Sequence, residues 1–155
     1  MGVGKTIQSL VAIALSHLDV DGYCNKHLVS LVVCPSSVVG HWMSEIDRFF
    51  PGGSVFKPIA LIGNSTSRDK LWRKGLAGYN IVVTNYSVLR SDAKRLAKTF
   101  WKYCILDEGH LLKNPKTGTC MPFDIFVPMK AWISSDLMLL VSRFSYSHCQ
   151  SCKAT

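Results

Sequence analysis

Two short runs hold residue types that could do phosphate chemistry. Near the start of the chain, Gly2-Val3-Gly4-Lys5-Thr6 follows Met1. Glycine permits a tight turn, and the N–H groups of Gly2 to Thr6 can then surround a phosphate where a helix begins. Lys5 would reach the β- and γ-phosphates, and the Thr6 hydroxyl would hold Mg²⁺. Far downstream, Ile105-Leu106 leads into Asp107-Glu108-Gly109-His110. An Asp after a buried strand can hold Mg²⁺, and a Glu beside it can take a proton from an attacking water. Either run alone could be chance, a glycine turn before a helix or a solvated strand-to-loop corner. Both together, in this order, point to hydrolysis of a nucleotide with Mg²⁺.

Those residues need a scaffold. Ile7, Leu10, Val11, Ala14, Leu15 and Leu18 recur at helical spacing, which predicts a helix from Lys5 to Leu18 directly after the glycines. Residues 28–34 form a β-branched apolar run that stops at Pro35, a buried strand. Ser36 or Ser37 can cap a helix over 38–50, which Pro51-Gly52-Gly53 ends. A strand over 55–62 is weakened at Pro58, and 66–76 reads as a basic helix. A strand over 80–84 precedes a helix capped by Ser87 and running to about Lys98, and 103–106 is the strand before the carboxylates. Strands alternating with helices predict an α/β fold, a parallel sheet covered on both faces. In such sheets ligands bind beyond the carboxyl ends of the strands, where Cys34-Pro35-Ser36, Thr84-Asn85-Tyr86 and Asp107-Glu108 all fall.

Composition sets the bounds. The 155 residues are enough for one domain, and a 48% hydrophobic fraction is ample for its core. A net charge of +8 suggests a polyanionic partner such as DNA or RNA. Arg68, Lys70, Arg73 and Lys74, then Arg90, Lys94, Arg95 and Lys98, could attract DNA or could be solvated helix faces. Cys34 and Cys104 lie in apolar runs, as free buried thiols do. The other four cysteines are 24, 120, 149 and 152, and the Cys149–Cys152 pair alone supplies too few ligands for a closed zinc site. No apolar run reaches the roughly 18 residues of a membrane span. Beyond about residue 117 the βα alternation ceases, and 118–155 reads as a divergent tail outside the fold of 1–117.

The motifs together resemble the first RecA-like lobe of a Swi/Snf-type ATPase, in the superfamily-two helicase group. Met-Gly-Val-Gly-Lys-Thr at 1–6 is similar to that family's Asp-Glu-Met-Gly-Leu-Gly-Lys-Thr box. The run from Leu31 through Cys34-Pro35-Ser36-Ser37 to Gly40-His41-Trp42 resembles its next motif, and Ile81 to Tyr86 its Thr-x-Tyr segment. Asp107-Glu108-Gly109-His110, followed by Lys113-Asn114, resembles its Asp-Glu-x-His box. Gly40-His41-Trp42 and the run 103–110 look closest to the TATA-binding-protein-associated branch. The resemblance implies an incomplete RecA-like P-loop NTPase lobe and a motor that moves on duplex DNA in the nucleus. In the branch named, TATA-binding protein is the displaced client. It assigns Gly2, Val3, Gly4, Lys5 and Thr6 to the triphosphate, and Thr6 and Asp107 to Mg²⁺. Glu108 becomes the water-activating base, with Asp107 and Lys5 beside it in catalysis, and His110 the coupling residue. Pro35, Ser36, Ser37 and Thr84 become contacts to the DNA backbone, where their residue types also suit strand-end turns and helix caps. Trp42 reads as a core anchor rather than a base-stacking residue.

The chain also departs from that pattern. The loop's first glycine and its feeding strand have no counterpart before Met1, no strand precedes Gly118-Thr119, and no second lobe with arginine fingers follows. An arginine finger is worth about 10³–10⁵ in rate in related phosphoryl-transfer enzymes, so the expectation is an N-terminally truncated lobe, negligibly active alone. The alternative is a non-catalytic module that binds DNA or proteins. A P-loop kinase or GTPase is disfavoured, since no guanine-reading Asn-Lys-x-Asp is present and the position of His110 favours the helicase-like group.

Overall fold

Three apolar runs build the centre of the sheet. They are β1 (Val29–Cys34), β3 (Ile81–Asn85) and β4 (Trp101–Asp107), and β1 is buried at every position. Runs this apolar suit strands covered on both faces. The computed structural model describes residues 4–18, 29–53, 55–99, 101–108, 130–133 and 137–141. Within it β2 (Pro58–Leu61), β3, β1 and β4 lie side by side in that order, all parallel. Pro58 opens β2, the outermost of these four, where a missing N–H costs no internal ladder bond. This is the α/β parallel sheet expected of a partial RecA-like lobe.

Alternation of side chains then sorts the core into two layers. Leu31, Val33, Val82, Cys104 and Leu106 point to one face, where they meet Tyr86, Val88 and Leu89 of α4 (Tyr86–Ser91) and Leu96 of α5 (Ala93–Ala97). Leu71 and Trp72 of α3 (Ser65–Lys74) pack there too. Val32, Cys34, Val83 and Ile105 point to the other face. There they meet Leu10, Ile13 and Ala14 of α1 (Lys5–Leu18) and Val39, Trp42 and Ile46 of α2 (Val39–Phe49). Helices therefore cover both faces, and the register brings the strand ends to one rim. Cys34 lies beside Asn85, and Val33 beside Leu106.

The local chemistry of two helix starts differs from expectation. Ser36 and Ser37 open a short 3₁₀ turn, Ser36–Val38, with no side-chain cap. Ahead of α4 the cap is Asn85 rather than Ser87, its side chain accepting the Val88 N–H at 2.9 Å. The helix expected to run to Lys98 is broken at Asp92 into α4 and α5. The sheet also continues past β4. Two strands from the stretch expected to lie outside the fold, β5 (Lys130–Ile133) and β6 (Leu137–Val141), pair antiparallel with each other. β6 in turn runs antiparallel along β4, with Asp107 opposite Leu137 and Tyr103 opposite Val141. The edge of β4 thus has backbone partners, as buried strand edges require. Among the described residues, no helix is long and apolar enough to cross a membrane.

Candidate functional site

Asp107 ends β4 at the rim, half-buried, and is held by two aromatic donors. The Trp42 Nε1–H donates to Asp107 Oδ2 at 2.9 Å. The Tyr86 hydroxyl donates to the Asp107 carbonyl oxygen at 2.6 Å. These donors come from opposite faces of the sheet, Trp42 from the α1/α2 layer and Tyr86 from the α4/α5 layer. Burial, and then the charge of Asp107, pushes the Tyr86 hydroxyl above its ordinary range, so it stays a neutral donor. The same two causes push the Cys34 thiol up to about 12. Cys34 therefore sits at the rim as an inert thiol, donating weakly to the Thr84 carbonyl at 3.7 Å.

Beyond Asp107 the chain turns sharply. Glu108 is exposed and has φ 56°, a left-handed conformation unusual for a side-chain-bearing residue. Such strain concentrates where function requires a particular direction of a side chain. The start of α1 carries a similar mark. Gly4 has φ 119°, open to glycine and strained for other residues, and its carbonyl accepts the Gln8 N–H at 2.8 Å as the helix begins. Lys5 is the first residue of α1 and Thr6, half-buried, the second. Gly2, Val3 and His110 lie outside the described residues.

These residues fit a nucleotide-bound Mg²⁺ in kind. Among the described residues no hydrogen bond reaches Asp107 Oδ1, while Oδ2 is committed to Trp42. No group of three or more His, Cys, Asp or Glu gathers among the described residues. Mg²⁺ does not need one, because it is usually held by one or two protein ligands plus substrate phosphates.

The residues expected at DNA divide. Ser36 and Ser37 are exposed and Pro35 half-buried, at the turn leaving β1. Thr84 is fully buried, and its hydroxyl donates to the Leu61 carbonyl at 2.7 Å. That hydroxyl ties β3 to β2 and is not presented at the surface. Arg68 likewise leaves the basic stretch. It is buried, its Nε and Nη2 donate to the Asp92 carboxylate at 3.0 and 3.1 Å, and its Nη1 donates to the Gly63 carbonyl. Lys70, Arg73, Lys74, Arg90, Lys94, Arg95 and Lys98 remain exposed, with Arg95 paired to Asp69. Sequence reading missed the roles of Trp42 and Tyr86 at Asp107. Both stood within recognisable motifs, but nothing in their spacing joins them to a residue 65 positions away in one case and 21 in the other.

Comparison with known proteins shows the family. A family described as the SNF2-related domain matches residues 1–135. The TATA-binding protein-associated factor mot1 of Schizosaccharomyces pombe is 36% identical over 123 residues, 75% of this chain and 6% of that protein. The TATA-binding protein-associated factor 172 of Homo sapiens is 36% identical over 124 residues, 76% of this chain and 7% of that protein. The ATP-dependent DNA helicase DDM1 of Arabidopsis thaliana is 40% identical over 122 residues, 75% of this chain and 15% of that protein. The chain thus spans a small part of the length of its relatives. With the match running from Met1 to residue 135, the chain belongs to the SNF2-related domain family.

Proposed function

We propose that this chain is the ATP-binding part of a Swi/Snf-type remodelling ATPase. The observation that carries the reading is Asp107, fixed at the carboxyl rim of a parallel sheet with one carboxylate oxygen uncommitted among the described residues. Gly2, Val3, Gly4, Lys5 and Thr6 surround the triphosphate, with the start of α1 favouring its negative charge. Thr6 and Asp107 hold Mg²⁺. Held there by Thr6 and Asp107, Mg²⁺ would supply positive charge for the phosphate oxygens. Glu108, aimed by its left-handed backbone, takes the proton of the attacking water. His110 couples the site to the DNA-facing side.

Duplex DNA meets the Pro35-Ser36-Ser37 turn, in which both serines are exposed, through its backbone, a sequence-blind contact. Thr84 acts beneath the surface, holding β3 and β2 together so that their following loops keep their places. The relatives named as TATA-binding protein-associated factors support TATA-binding protein as a partner and, as a transcription setting, the nucleus as the location.

The test is a calorimetric titration of the purified chain with ATP, in Mg²⁺ and in EDTA. Binding that strengthens with Mg²⁺ and disappears in Lys5→Ala supports the reading. DNA binding with no nucleotide binding in either buffer overturns it in favour of a non-catalytic interaction module. DNA-stimulated turnover by the chain alone would contradict the expected inactivity.

A further inference from the structure

We propose that Trp42 and Tyr86 are positioning residues that grip Asp107 from the two faces of the sheet and so present its Oδ1 to the cation. This rests on the nucleotide-binding reading above and adds two residues to that site. Trp42 is 1% exposed and belongs to the core cluster of Leu10, Ile13, Val39, Ile46 and Val83, where close packing restricts its ring. An indole has a single N–H and no acceptor. Its one bond, at 2.9 Å to Oδ2, therefore fixes the carboxylate's rotation. Tyr86 is 8% exposed and belongs to the opposite core layer. Its hydroxyl holds the Asp107 carbonyl at 2.6 Å, which fixes the main chain where it turns into the left-handed Glu108. One donor sets the carboxylate plane and the other sets the backbone carrying it. Outer-shell partners of this kind orient metal ligands, and their loss typically costs about 10–100-fold in metal affinity.

Two measurements on the full chain decide this. The first follows the ¹⁵N-labelled indole signals while Mn²⁺ or Mg²⁺ is added with a non-hydrolysable ATP analogue. The Trp42 signal should shift with Mg²⁺ and broaden with Mn²⁺. Trp72, bonded to Asp92, and Trp101, bonded to the Leu96 carbonyl at 2.8 Å, should serve as unmoved references. The second compares nucleotide affinity with Mg²⁺ and with EDTA in Trp42→Phe and Tyr86→Phe. Each should reduce the Mg²⁺-dependent gain about tenfold or more and leave affinity in EDTA unchanged. Tyr86→Phe removes only an oxygen, so it decides the matter if Trp42→Phe fails to fold. Equal losses in both buffers, or a Trp42 signal that stays still while Mg²⁺-dependent binding is intact, overturn the positioning role alone. No nucleotide binding by the unmodified chain overturns the functional reading, and the positioning role falls with it.

Discussion

Two tryptophans in this chain donate the indole N–H to an aspartate oxygen at the same 2.9 Å, Trp42 to Asp107 and Trp72 to Asp92. The surroundings of the two carboxylates are opposite. Asp92 is 8% exposed and receives Trp72, Ser91 and two nitrogens of Arg68. Its charge is balanced and its oxygens are filled. Asp107 is half-buried, and among the described residues only Trp42 reaches its carboxylate and no cation pairs with it. A carboxylate completed by its own protein holds a corner of the fold together. One left with an open oxygen at the carboxyl rim of a parallel sheet is placed for a ligand. The same bond thus completes one carboxylate and, on the function proposed above, orients another.

The largest expected effect separates them by stability. Arg68→Ala would strand the Asp92 charge in a buried setting, and breaking a buried pair in this way costs about 3–5 kcal/mol. α3 would lose its hold on the α4–α5 corner, and the chain should unfold at much lower urea. Asp107→Ala strands only the Trp42 N–H, at a cost of about 1–2 kcal/mol. Tyr86 keeps its partner there, because it bonds the main chain. Urea titrations of both variants, followed by circular dichroism, check the order. Equal destabilisation would break the contrast and make Asp107 one more structural carboxylate.

Acid offers a second separation. Burial alone would raise the Asp92 pKa, but hydrogen bonds from Arg68, then Trp72, together with the Arg68 charge, hold it below the ordinary 3.8. A carboxylate whose folded pKa lies below its unfolded one contributes its stability fully above the unfolded value. That contribution is lost as pH falls through the folded value. Arg68 stays charged throughout, its own pKa raised chiefly by the hydrogen bond to Asp92. The α3–α5 corner should therefore hold down to about pH 3.8 and loosen below it. Hydrogen exchange of the α3 and α5 amides against pH measures this. In Asp92→Asn that step should vanish.

Local pattern carried much of the fold. The periodic apolar residues from Ile7 to Leu18 marked α1 with the bounds it has, and the apolar run ending at Cys34 marked β1. Strand alternation then made the two-layer core legible, because each strand exposes odd and even positions to different helices. What could not be read was tertiary. Asn85 and Ser87 are both acceptable caps, and only the bend out of β3 selects Asn85. Asp92 looked like an ordinary residue within a helix, yet its bonds to Arg68, 24 positions earlier, accompany a break there. Thr84 looked like a surface hydroxyl at a strand end, whereas pairing with β2 buries it against Leu61. The run 137–141, five apolar residues without alternation, gave no sign of pairing antiparallel to β4. The phosphate loop and acidic pair could be proposed from the sequence because their chemistry is local. The grip on Asp107 was not, because it joins three elements.

The smallest effect sharpens the comparison most, since it alters the same bond in the region expected not to bind anything. Trp72→Phe removes one of several donors to Asp92 and keeps a ring of similar shape in the half-buried layer beside Leu71. Arg68 and Ser91 still reach both carboxylate oxygens. The cost should be about 1 kcal/mol, that of one hydrogen bond with no charge left stranded. Nucleotide affinity should not change in Mg²⁺ or in EDTA. Trp42→Phe, by contrast, leaves Oδ2 of Asp107 without its donor at a carboxylate that no cation within the described fold steadies. A thermal melt and a nucleotide titration on each variant would show whether the two bonds, alike in length and chemistry, differ in consequence. If Trp72→Phe also weakened Mg²⁺-dependent binding, the effect of Trp42 would be a general response to losing an indole, and the division between a completed and an open carboxylate would lose its meaning.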